Sequence, residues 1–217
     1  STLYAMLFGS EKFDDLIGEL QLASMMQQAE AGDTMDPSMK HMSHKQRARE
    51  VKCAGHLAER LKAFAEGEMD EEAFAESARE QAKELSQTGF GEVLTHTIGH
   101  IYVYKATVAL SGKAGAAKLG LQMKRHTLGA NAKALKAMLT MYRVSKAAQG
   151  MEEAEQAKLM TKDMPVFLEG AWLISVIDVE GTLRHVCKKV LTDTSIPREQ
   201  RKRRAVALKR LGEIFLE

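Results

Sequence analysis

Apolar residues recur every three or four positions along most of the chain, the spacing that lines one face of an α-helix. Asp36-Pro37 predicts a helix start, an N-cap followed by proline at the first helical position. Behind it Cys53, Leu57, Leu61 and Phe64 form a stripe that Gly67 stops. Asp70 predicts the next cap, with Glu71 and Glu72 against the positive end of the dipole and Phe74, Ala78, Ala82 and Leu85 on the apolar face. Gly91 opens a third segment running to Ser111-Gly112, and Leu128, Ala132, Leu135, Leu139 and Tyr142 stripe a fourth that Gly150 ends. Pro165 is expected to separate a short polar helix, 152–163, from a long one striped by Leu168, Trp172, Val176, Val179, Leu183, Val186 and Val190. Trp172 is expected to be mostly buried on that stripe. Pro197 then starts a final helix with Ala205, Leu208, Leu211 and Phe215 on one side. The β-branched run 173–177 has strand propensity, but the helical stripe passes through and beyond it. Hairpin signals and fixed-period repeats are absent from the sequence. The pattern predicts an all-α protein, a single helical-bundle domain over residues 1–217 with about seven or eight helices.

Composition narrows the class. With 45% hydrophobic and 28% charged residues, the chain has enough apolar surface to offset its ordering entropy, which excludes a disordered protein. Lys plus Arg (31) nearly balances Asp plus Glu (29), so no overall field points to nucleic acid or a membrane surface. Two cysteines, Cys53 and Cys187, make no disulfide scaffold and fit a reducing, cytoplasmic setting. The sequence has no signal-peptide pattern and no run of 18 uncharged apolar residues. Its start at Ser1 reads as a piece of a longer protein.

Several constellations invite chemistry. Glu92, His96 and His100 share one helical face, the arrangement that clasps zinc or iron. The zinc-protease pattern is broken by Thr97, which stands where its glutamate belongs, and the paired Glu/His spacing of di-iron bundles is absent. Thr97 and Gly99 between the histidines point to tight helix packing, with His96 and Tyr102 structural and no metal held. Cys53, His56, His185 and Cys187 could make a four-ligand zinc set, but both cysteines fall on apolar stripes, where a thiol behaves as a small hydrophobe. Without a nucleophile elbow or a phosphate-binding glycine loop, the expectation is a chain with no catalytic residues, cofactor or metal. The last helix carries Arg198, Arg201, Lys202, Arg203, Arg204, Lys209 and Arg210, which reads first as a solvated face. It also supplies an alternative function, an adaptor docking nucleic acid or an acidic membrane surface. Thirteen methionines are the most unusual feature of the composition, densest in the first 45 residues, and methionine suits surfaces that accept varied apolar partners. Leu7, Phe8, Met25 and Met26 are expected to line a partly exposed groove for an apolar peptide or a second copy of the chain.

Four strings, kept in order, resemble one family. They are Leu7-Phe8-Gly9-Ser10-Glu11-Lys12-Phe13, then Gly89-Phe90-Gly91 followed by 94–102 with His96, Gly99 and Tyr102, then 179–187 with Glu180 and His185, and finally 207–212. Together they resemble the DnaJ-X domain, the C-terminal region of a group of fungal, plant and protist J-protein co-chaperones. The resemblance implies a client- or partner-binding module of a DnaJ-type co-chaperone that assists a DnaK-class ATP-driven chaperone in folding, assembly or targeting. Stimulating that ATPase would fall to a J-domain, whose His-Pro-Asp tripeptide this sequence lacks. The implied partners are unfolded or native proteins, with a homodimer as a further expectation. Binding to nucleic acid or membrane is not expected. No catalytic residues carry over from the family.

Overall fold

The computed structural model describes residues 11–24, 39–88, 90–111 and 153–217. Among them every regular element is helical, and no strand occurs. A 3-10 turn, Glu11–Phe13, leads into the short α1 (Asp14–Ile17). There follow α2 (Met39–Glu66), α3 (Glu71–Ser86), α4 (Gly91–Leu110), α5 (Glu153–Leu191) and α6 (Arg198–Ile214). The all-α expectation holds. Asp36-Pro37, the stripe from Leu128 to Tyr142, and Gly150 lie outside the described residues. The chain divides into two compact units, Ser1–Gly120 with Asp178–Glu217, and Leu121–Ile177.

Local chemistry sets the boundaries. Gly67 stops α2 at a positive φ of 82°, and the amides of Glu68 and Met69 return to the Ala63 carbonyl. Asp70 caps α3, its carboxylate accepting from the Ala73 amide at 2.9 Å and so satisfying one of the orphan donors of the first turn. Phe90 precedes α4 in a left-handed conformation, φ 54°. Gly91 follows because a Cβ there would run into the Leu85 carbonyl oxygen. Pro197 stands immediately before α6, as predicted from its fixed φ and missing amide proton.

Pro165 is a correction. Instead of separating two helices, it lies inside α5, which runs unbroken from Glu153 to Leu191. An interior proline forfeits one hydrogen bond at a cost of about 3 kcal/mol. That penalty weakens a helix without forbidding it, and Pro165 is exposed, where water can serve a carbonyl left unbonded. In the second unit, Leu168 is exposed and Trp172 is half-buried.

In the first unit the core forms where α6 packs against α2, α3 and α4, with the α4–α6 contact the most extensive. Leu57, Leu61, Leu94, Ile98, Tyr102, Leu208, Leu211 and Phe215 are almost wholly buried there. The Phe64 and Phe74 rings, 5.1 Å apart, join α2 to α3. The α5 stripe contributes Val179, Leu183, Val186, Cys187 and Val190, all buried. Phe13, Leu16, Ile17 and Leu20 are also buried, and α1 packs on α2, so this apolar segment closes over the unit as a lid.

Candidate interaction surface

The α4–α6 crossing is backbone against backbone. A Cβ added to Gly99 would lie 2.8 Å from the Gly212 carbonyl oxygen, and one added to Gly212 would meet the Gly99 oxygen and the Val103 amide nitrogen, each at 2.8 Å. Two glycines on facing helices therefore allow an approach that alanine would block. One turn beyond Gly99, Tyr102 is fully buried with its ring centroid 6.2 Å from that of Phe215. Its hydroxyl has no hydrogen-bond partner among the described residues, and burial drives its pKa well above the usual phenol range. On the same helix His96 is half-buried and His100 exposed. The described residues contain no group of His, Cys, Asp or Glu side chains placed to hold a metal.

Histidines and cysteines of the second constellation part company. Cys53 and Cys187 are both buried free thiols, and desolvation raises both, Cys187 to about 12. His56 faces Asp15 at 3.4 Å, whereas the exposed His185 places Nδ1 2.8 Å from Glu50 Oε1. Glu180 is 7% exposed and receives the Arg184 guanidinium at 2.6 Å. The His56–Asp15 and His185–Glu50 contacts each join two elements, whereas the Glu180–Arg184 pair lies within α5.

A polar seam joins α2 to the C-terminal half of α5. Arg49 donates through Nη1 to both Asp178 oxygens at 2.9 Å and through Nε to the Ile17 carbonyl at 2.7 Å. Gln21 donates its amide to Asp178, and Gln46 donates to the Thr182 hydroxyl at 2.9 Å. Glu50, buried at 7% exposure, receives His185 and, at 3.8 Å, Lys189. Gly18 has φ 65°, and a Cβ there would press within 2.7 Å of Arg49 Cγ, so the arginine stem lies flat across the end of α1. Sequence reasoning missed Arg49 and Asp178. The available signal was Asp178 itself, a carboxylate in the apolar run between Ile177 and Val179.

The basic face of α6 is largely consumed by its own neighbours. Arg201 donates to the Asp193 carbonyl, Arg204 pairs with the Asp193 carboxylate at 3.1 Å, and Arg204 is itself buried. Hydrogen bonds from Ser195, helped by Arg204, hold the Asp193 carboxyl below the usual range. Lys202 pairs with Glu199, Lys209 with Glu213, and Arg210 with Glu71 and Glu213. A strip so engaged offers few free cations to phosphate.

Leu7, Phe8, Met25 and Met26 lie outside the described residues. Among the described residues, no helix is long and apolar enough to cross a membrane.

The family model described as the X-domain of DnaJ-containing proteins matches residues 46–217. DnaJ-like protein 1 of Saccharomyces cerevisiae is 33% identical over 73% of this chain and 43% of its own length. Of two J domain-containing proteins of Schizosaccharomyces pombe, one is 24% identical over 97% of the chain and 68% of its own length, the other 31% identical over 66% of the chain and 39% of its own length. The chain thus spans less than half of the first of these relatives. No solved structure matches it significantly.

Proposed function

Because the chain belongs to the DnaJ-X family, we propose that it is the non-catalytic client- or partner-binding region of a DnaJ-type co-chaperone serving a DnaK-class chaperone. The observation that carries this reading is the family match across residues 46–217, supported by relatives that are themselves J-proteins. The geometry agrees in kind. Among the described residues of the family-like strings, Gly99 and Tyr102 are buried and Glu180 and His185 sit in ion pairs, whereas Phe90 and His100 are exposed. Residues 1–217 act as one cytoplasmic module, with ATPase stimulation supplied by a J-domain elsewhere in the full protein. Leu7, Phe8, Met25 and Met26 form its apolar contact set, for an unfolded client or a second copy.

The test uses a chemically denatured client whose aggregation is followed by light scattering. The chain is expected to suppress aggregation at near-stoichiometric ratio, with little dependence on salt. Replacing Met25 and Met26 together by Gln should remove that effect while leaving the melting temperature unchanged. No suppression by the wild-type chain refutes client binding, and a collapse of thermal stability in the double variant assigns both methionines to the core instead.

A further inference from the structure

A groove of about 480 Å³ opens between the N-terminal part of α2 and the last turns of α5. Arg47, Lys188 and Lys189 line it as cations, and Glu50 is its single carboxylate. Glu50 is already held by His185 and Lys189. Arg47 and Lys188 are exposed, and neither pairs with an acidic side chain among the described residues. On α6, by comparison, five of the seven cations have a carboxylate or carbonyl beside them. Arg47 and Lys188 therefore present unpaired positive charge to one shared groove.

The sequence of α2 deepens the point. Its first turn has no acidic residue, and residues 39–49 carry Lys40, Lys45, Arg47 and Arg49 before Glu50 provides the first negative charge. Of these, Arg49 is neutralised by Asp178, while Arg47 pairs with no acidic side chain among the described residues.

We propose that this groove is a docking site for an acidic peptide segment of a partner protein, whose carboxylates are received by Arg47, Lys188 and Lys189. The lining favours peptide over other polyanions. Ser43, Gln46 and Thr192 supply hydroxyl and amide groups suited to a peptide backbone. The one aromatic ring among the lining residues, His185, is tied to Glu50 at 2.8 Å, and none of the lining residues is an apolar one that could enter a bilayer. This site is separate from the apolar contact set proposed above and does not rest on it.

The experiment is fluorescence anisotropy with the 217-residue chain and a labelled, end-capped decapeptide of alternating Glu and Ser. Binding should weaken steeply between low and physiological salt. The double variant Arg47→Glu/Lys188→Glu should weaken it at least ~10-fold, because like charges then face the ligand. Its melting temperature should match the wild type, since both side chains are exposed. The matched control, Arg198→Glu/Arg203→Glu on α6, should leave binding unchanged. Equal loss in the control means diffuse charge attraction and overturns the proposal. So does an absence of peptide binding, or an outcome in which oligothymidylate or phosphatidylserine vesicles bind through Arg47 and Lys188 while the peptide does not.

Discussion

Arg49 and Asp178 meet across 129 residues of sequence, the guanidinium 2.9 Å from both carboxylate oxygens and each side chain only 9% exposed. The pair ties α5 to α2, and through Ile17 and Gln21 it also fastens the segment around α1. Removing one partner leaves the other charge buried and uncompensated, which costs about 3–5 kcal/mol. Asp178→Ala is therefore expected to lower the unfolding free energy by that amount in urea titrations. Replacing both residues by apolar side chains of similar volume should cost clearly less than the single change. Equal losses in the single and double variants would show that the pair contributes no mutual compensation.

Glycines divide into two classes. Gly99→Ala and Gly212→Ala force a methyl group against backbone, and overpacking of this kind costs about 1–3 kcal/mol. Gly55 and Gly181 have nothing within 4 Å of an added Cβ, so alanine there should stabilise α2 and α5 by up to about 1 kcal/mol through helix propensity. Thermal melts of the four single variants check the opposite signs.

Cys53 and Cys187 should resist thiol reagents at pH 8 in the native state and react quickly once the protein is unfolded. Burial raises both thiol pKa values above 9.0, that of Cys187 to about 12. The unfolded chain therefore loses these protons first as pH rises. Stability from these groups is intact below pH 9 and is lost progressively toward pH 12, which chemical denaturation at stepped alkaline pH will show.

Tyr102→Phe removes a buried hydroxyl that has no hydrogen-bond partner among the described residues. Its unfolding free energy should stay within about 1 kcal/mol of wild type, or rise, because no hydrogen bond is lost and a desolvated polar group disappears. A loss of several kcal/mol in equilibrium unfolding would reveal a bond that the structure lacks.

What the sequence made legible was local. Asp70, Gly67 and Pro197 act within a few residues of themselves, so their chemistry can be read where it stands. Stripe periodicity likewise identified the buried faces of α2, α3 and α6. Pro165 misled because the penalty of an interior proline is finite and a long helix absorbs it. The basic run on α6 invited a phosphate-binding reading, since nothing in its spacing announces that the Asp193 turn and Glu71 on α3 would claim its arginines. Arg49 carries no local signal of its own in the sequence, and only the fold brings Asp178 to it.

The place of α6 in the chain has a consequence for biosynthesis. This helix supplies the surface on which α2, α3 and α4 converge, yet it is the last of the six to leave the ribosome. Until residues 204–215 emerge, Leu57, Leu61, Leu94 and Ile98 lack the side chains that cover them in the native unit. Nascent chains long enough to hold α2 through α5 therefore expose these core side chains, and a domain of this design needs protection during its own translation.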